Sequence, residues 1–353
     1  MKQYYIYLGT QTHKTSKGIY GMRISADGKL EEGPQLLAEQ PSPTYFYVSR
    51  AHDFLYAVSE PGEEEKGLIC VYAIDMQTQE ISLHSKKVAA GRGLCHIEMD
   101  SAEQYAVVTC YEEATIQVYP VDMHRKLMPM FCLRRHIGSG PVAERQERAH
   151  AHSAFFTKDG AYVVICDLGM DTLALYEMNE ETGKLHRAIG MNVKLPPGSG
   201  PRHMVMSPDG RYAYVACELS SEVAVLAYEK ETGFTLIEQV STLSPEFPSD
   251  RNYPAAIRLT QDGRCLYVSN RGEDSIALFK VNPQNGHISL QNTYSTRGWY
   301  PRDFILTGDE RLLIAVNQLS DNMVIFRREP ETGELTLTDE KTIVNAPVAL
   351  IEG

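Results

Sequence analysis

One layout recurs along this chain at intervals of 47 to 57 residues, and a period of that size restricts the fold more than composition does. GPRHMVMSPDGRYAYVACELSSEVAVLAYEKETGF from Gly200, YPAAIRLTQDGRCLYVSNRGEDSIALFKVNPQNGH from Tyr253 and YPRDFILTGDERLLIAVNQLSDNMVIFRREPETGE from Tyr300 share it. Each opens at a Pro, alternates briefly, turns, and enters a β-rich run such as YAYV. A polar patch, a second apolar strand and an ETG or NG turn follow. Thirteen residues after Pro201, Pro254 and Pro301 stand Tyr214, Tyr267 and Ile314, and nine further on Val223, Ile276 and Met323. The same spacing recovers Pro43–Tyr56, Leu94–Val107–Ile116 and Ala151–Val164–Leu173, so six units align.

The two ends supply a seventh. YYIYLGT and GIYGMRI at the start read as strands lacking a first partner, and APVALI at the end reads as a first strand with nothing after it. Pairing them closes a ring and leaves no open edge there for aggregation. Asp159-Gly160, Asp209-Gly210 and Asp262-Gly263 are hairpin turns between alternating runs, and Gly183, Gly233 and Gly333 mark a second hairpin. The expected fold is all-β: a seven-bladed β-propeller with four antiparallel strands per blade, one domain over residues 1–353. A single Trp and no GH…WD pattern set it apart from WD40 repeats.

A net charge of −12 speaks against nucleic-acid or anionic-membrane partners, which need a basic surface. It leaves a small anionic ligand open, since a local cluster can oppose the global charge. Seven cysteines without CxxC pairs sit mostly in apolar runs, as small hydrophobes do in a reducing compartment. With a polar N-terminus and no apolar run of membrane-spanning length, the expectation is a cytoplasmic protein, monomeric or weakly dimeric.

First strands line the central channel of a propeller, so aligned positions read as rings. After the Pro position come Thr44, Cys95, His152, Arg202, Ala255, Arg302 and Val348, then Tyr45, His96, Ser153, His203, Ala256, Asp303 and Ala349. At the end of the second strand fall Ser59, Cys110, Asp167, Cys217, Asn270 and Asn317, then Glu60, Tyr111, Leu168, Glu218, Arg271 and Gln318. Arg202, Arg271, Arg302, His152 and His203 form a cationic set in an acidic protein, with Glu218 as the carboxylate among them. Strand-end capping accounts for any one of these residues. It accounts poorly for all, because burying several guanidiniums without an anionic partner is costly. His150-Ala151-His152 has a spacing that metal sites use, yet no second pair accompanies it. No P-loop, dinucleotide fingerprint or GxSxG elbow is present. No cofactor or metal is expected.

YYIYLGTQT, AHAHSAFFTKDGAYVVICDLGMD, GPRHMVMSPDGRYAYVACELSSEVAV and YPRDFILTGDERLLIAVNQLSDNMVIF resemble the seven-bladed propeller lactonase family. That family holds bacterial 6-phosphogluconolactonases and, more distantly, the fungal carboxymuconate cyclase. The resemblance runs from Tyr4 to about Ile351. It implies a metal-free site at the channel mouth that hydrolyses or forms a lactone ring, with catalytic roles falling on His152, Arg202, Glu218 and Arg271. The expected substrate is a small anionic sugar lactone, 6-phosphogluconolactone of the pentose phosphate pathway. Glu218, or alternatively His152, is the general base, and one of Arg202 and Arg271 stabilises the oxyanion. The other of the two, with Arg302 and His203, holds the phosphate, while Asn270, Asn317 and Gln318 bind hydroxyls. A muconate-type lactonising enzyme and a non-catalytic binding scaffold are the alternatives.

Overall fold

The computed structural model describes residues 2–353 except 61, 63, 64, 180, 249 and 250, and the side chains of 339–341 lie outside the description. Its strands form seven antiparallel sheets. Blade 1 begins at Pro43–Val48, blade 2 at Leu94–Met99, blade 3 at Ala151–Phe156 and blade 4 at Pro201–Met206. Blade 5 begins at Tyr253–Leu259, blade 6 at Pro301–Leu306 and blade 7 at Pro347–Glu352. In blade 4 the order continues outward through Tyr212–Cys217, Glu222–Glu229 and Gly233–Ser241. Blade 7 is the composite expected from the chain ends: Pro347–Glu352 pairs with Gln3–Thr10, Ile6 opposite Glu352 and Leu8 opposite Leu350. Blade 3 departs from four strands, because a short segment, Val193–Lys194, also pairs with Thr172–Met178.

The second strands are apolar on both faces because each is packed between two neighbouring blades. In blade 4, Ala213, Val215 and Cys217 join the layer shared with blade 3, while Tyr214 and Ala216 join the layer shared with blade 5. Seven such apolar layers occupy the seven blade-to-blade interfaces. Burying one of these aliphatic side chains contributes about 1.5–3 kcal/mol. Six of the seven free cysteines are buried among them, as small hydrophobes.

Two backbone devices follow from the sequence. Gly160, Gly210 and Gly263 adopt φ values of 69, 73 and 71°, the left-handed turn that DG dipeptides favour. Every inner strand also carries a β-bulge just after its first residue, or after its second, Pro254, in blade 5. The register steps from Pro201–Cys217 to His203–Ala216, leaving Arg202 unopposed. Thr44, Cys95, His152, Arg302 and Val348 are left out in the same way. A bulge re-aims the extra side chain, and here it recurs at the position read above as the first channel ring.

Candidate active site at the channel mouth

The bulge residues and their successors come together. Thr44, Tyr45, Cys95, His152, Arg202, His203, Arg302, Asp303 and Val348 line one small cavity on the axis. Above it, the ends of second strands deliver Glu218 and Arg271. One oxygen of Glu218, Oε2, lies 2.6 Å from Arg271 Nη2 and 3.0 Å from Arg202 Nε. The Arg271 contact is a hydrogen bond, whereas Arg202 Nε sits at ion-pair distance without donating an aligned one. Arg202 is fixed instead by Nη1 donating to the Ala255 carbonyl at 2.8 Å. Arg271 Nε donates to the Tyr253 carbonyl at 3.0 Å, and its guanidinium lies 5.1 Å from the Tyr300 ring centroid.

Burial alone would raise the Glu218 carboxyl, but Arg271, Arg202 and Arg145 override it and hold the group ionised well below the usual carboxylate range. Burial, with Arg271 beside it, pulls the Arg202 guanidinium down to about 9, still charged near neutral pH. Burial and then Arg202 push the His152 imidazole well below its ordinary value, so this ring is neutral. Its Nδ1 is buried without a protein partner among the described residues.

Arg145 is the residue that sequence reasoning missed. It donates through Nη2 to Glu218 Oε1 at 2.5 Å, lies 3.4 Å from the Tyr111 hydroxyl and sits 5.8 Å from the Tyr253 ring centroid. It comes from the connection between blades 2 and 3, outside the repeat frame, where ring alignment has no reach. The connection is pinned at both ends. His136 bonds Asp167 at 2.5 Å and Tyr176 at 2.9 Å, while the buried Gln146 donates to Leu168 and Asp171. A clue was present in the sequence, since this unit has the longest spacing, 57 residues from Leu94 to Ala151.

Other expectations need correction. Asn270 is fully buried, donates to the Thr242 carbonyl at 2.8 Å and accepts from Asn252, so it staples loops and does not face a sugar. Asn317, also fully buried, donates its amide to the Thr296 carbonyl at 3.0 Å. His203 lines the cavity, but burial, then Arg202, push it well below its ordinary value, so it is no cationic phosphate holder. Gln318 does stand at the mouth, accepting from Arg302 at 3.4 Å and donating to Gln11 at 2.8 Å. Arg302, half-buried, is thus the guanidinium with the least committed hydrogen bonding. His150 and His152 do not converge: His150 stacks on Tyr111 with ring centroids 4.1 Å apart, while His152 turns to the axis.

Arg145, Arg202 and Arg271 contact Glu218, Arg302 acts on Glu60, and Asp303 in the cavity is paired with Arg258, which leaves positive charge that an anion would balance. Residues 5–351 match the family model described as lactonase, 7-bladed beta-propeller. A 6-phosphogluconolactonase of Bacillus subtilis is 36% identical over 299 residues, 84% of this chain and 83% of that protein. A 6-phosphogluconolactonase of Formosa agariphila is 33% identical over 75% of this chain and 76% of its own. The solved structure of a periplasmic gluconolactonase of Pseudomonas aeruginosa superposes with a TM-score of 0.93 at 28% identity, covering 99% of both chains. Fold, mouth geometry and relatives agree: the chain belongs to the seven-bladed β-propeller lactonase family.

Proposed function

We propose that the protein hydrolyses a sugar δ-lactone, 6-phosphogluconolactone before others, at the mouth built by His152, Arg202, Glu218, Arg271 and Arg145. The observation that carries this reading is a neutral histidine without a protein partner at Nδ1, set beside a guanidinium cluster with unbalanced positive charge. Relatives named for this activity support it.

The lactone carbonyl oxygen points to Arg202 and Arg271, whose charge survives near neutral pH. An oxyanion donor is worth about 3 kcal/mol in comparable sites. His152 takes a proton from the attacking water as the water oxygen bonds to the carbonyl carbon. When the ring C–O bond breaks, the same imidazole returns that proton to the departing alkoxide. The product acid ionises and releases one proton to solvent. Glu218 has both oxygens taken by Arg145, Arg271 and Arg202, so its work is to orient them. Arg302, with Gln318 beside it, takes the phosphate, which suits a guanidinium fork.

Two variants test these roles. His152→Asn should lower kcat by about 10²- to 10⁴-fold with little change in KM, the usual scale for losing a general base. Arg302→Ala should raise KM for the phosphorylated lactone at least about tenfold and leave unphosphorylated gluconolactone unaffected. Full turnover in His152→Asn would remove the histidine from the mechanism. Equal effects on both lactones would remove the phosphate role of Arg302.

A further inference from the structure

Below the arginine cluster the channel axis is crossed by rings. Tyr45 and His96 lie 4.2 Å apart by ring centroid, His96 and Phe155 4.9 Å, His96 and His203 5.6 Å, and His203 and His152 5.2 Å. His96, His203 and His152 therefore form a column leading down from the site. Their nitrogens are under-used: both of His96, Nδ1 of His203 and Nδ1 of His152 are buried with no protein partner among the described residues. An unbonded buried polar group costs about 1–3 kcal/mol, and a core does not carry several in one place unless water bonds them.

There is room for a water beside these nitrogens. The cavity beside His152 and His203 is about 10 Å³, room for about one water. Tyr45 and Asp303 line it and also line a bowl of about 330 Å³ at the opposite mouth. Glu98 and Arg258 line that bowl and an adjoining one of about 690 Å³. Tyr45 and Asp303 thus stand between the cavity at His152 and the far bowl, and a water passes when they move aside. A lactone seated on the arginines covers the near face, so the nucleophile needs another way in.

We propose that the hydrolytic water reaches His152 through the axis from the opposite mouth, handed along by His96 and His203 acting as positioning residues. This rests on the lactonase reading. Each turnover draws one water from the file; its oxygen enters the new carboxylate, and its place is refilled from the far bowl. The histidines carry no net proton in this role, since His152 returns its proton to the leaving alkoxide.

His96→Phe is the direct test, because it keeps a ring between Tyr45 and Phe155 and removes both nitrogens. The expected result is a kcat lowered about tenfold with KM changed less than about twofold, and near recovery in His96→Gln. Atomic-resolution diffraction from the wild-type protein should show ordered waters within about 3 Å of His152 Nδ1 and of His96. An unchanged kcat in His96→Phe, or a dry axis in the wild-type crystal, overturns the proposal. If His96→Phe does not fold, His96→Gln and the diffraction experiment decide it: a tenfold loss in the polar variant contradicts the relay. If the wild type hydrolyses no lactone, the functional reading falls and delivery falls with it, while diffraction still reports whether the file of waters exists.

Discussion

Glu218 touches Arg145, Arg202 and Arg271 at once. Both of its oxygens are engaged by guanidiniums, and that pairing holds it ionised well below the usual carboxylate range. Glu218→Gln should therefore act on structure as well as rate. It leaves guanidiniums buried without their counter-charge, a loss of about 3–5 kcal/mol in comparable pairs, and it should lower kcat without raising KM for an anionic lactone. Denaturant titration together with steady-state kinetics reads both effects. Histidines set a second dependence. His96, pushed down to about 3 by burial, and His152 and His203, pushed well below 6.5, stay neutral in the fold. Their contribution to stability is fully present above pH 6.5. It is lost as the pH falls, because the unfolded chain takes up protons that the native one refuses. Glu98 works the other way: burial pushes it up to about 7, so the native state keeps a proton between its ordinary range and that value. His96→Phe removes one of the three histidine contributions. The slope of unfolding free energy between pH 6 and 5 should become shallower by roughly 1 kcal/mol per pH unit. An unchanged slope would mean that His96 is already charged in the fold. At this scale the sequence showed which residue types meet, since ring alignment placed His152, Arg202, Glu218 and Arg271 together. It could not show protonation, which depends on burial, nor that Asn270 and Asn317 spend their amides on loop carbonyls.

Inner strands work as site-builders because each carries one extra residue outside its ladder. In the sequence that bulge is silent: the gapless alignment of six units is compatible with a regular strand or with a bulge repeated in every blade. Turn chemistry, by contrast, was legible. Gly160 has φ of 69° and nothing within 4 Å of where a Cβ would stand. Gly160→Ala therefore isolates the conformational term, and denaturant unfolding should register a loss of about 1–2 kcal/mol. No measurable loss would show that the turn relaxes to another type. The element that escaped the alignment is the connection carrying Arg145. It belongs to no repeat, and the buried anchors His136 and Gln146 help give it a fixed course. Irregular connections of this kind are where period-based reading stops and the third dimension is needed.

Ring closure holds the seven blades to one axis, and the axis is where the chemistry gathers. Blade 7 is built from both chain ends, with Pro347–Glu352 as its inner strand and Gln3–Thr10 next to it. This closure was readable because the ends are complementary fragments of the same repeat. The proposed function depends at this scale on residues from four consecutive blades meeting at one mouth: His152 from blade 3, Arg202 and Glu218 from blade 4, Arg271 from blade 5 and Arg302 from blade 6. The direct test is the rate of hydrolysis of freshly generated 6-phosphogluconolactone by the wild-type protein, with gluconolactone as control and EDTA present throughout. Fast turnover of the phosphorylated lactone, well above its spontaneous hydrolysis and undisturbed by EDTA, is the predicted result. No group of three or more His, Cys, Asp or Glu side chains suited to a metal occurs among the described residues. No acceleration of the phosphorylated lactone, or a rate abolished by EDTA, would contradict a metal-free arginine–histidine lactonase.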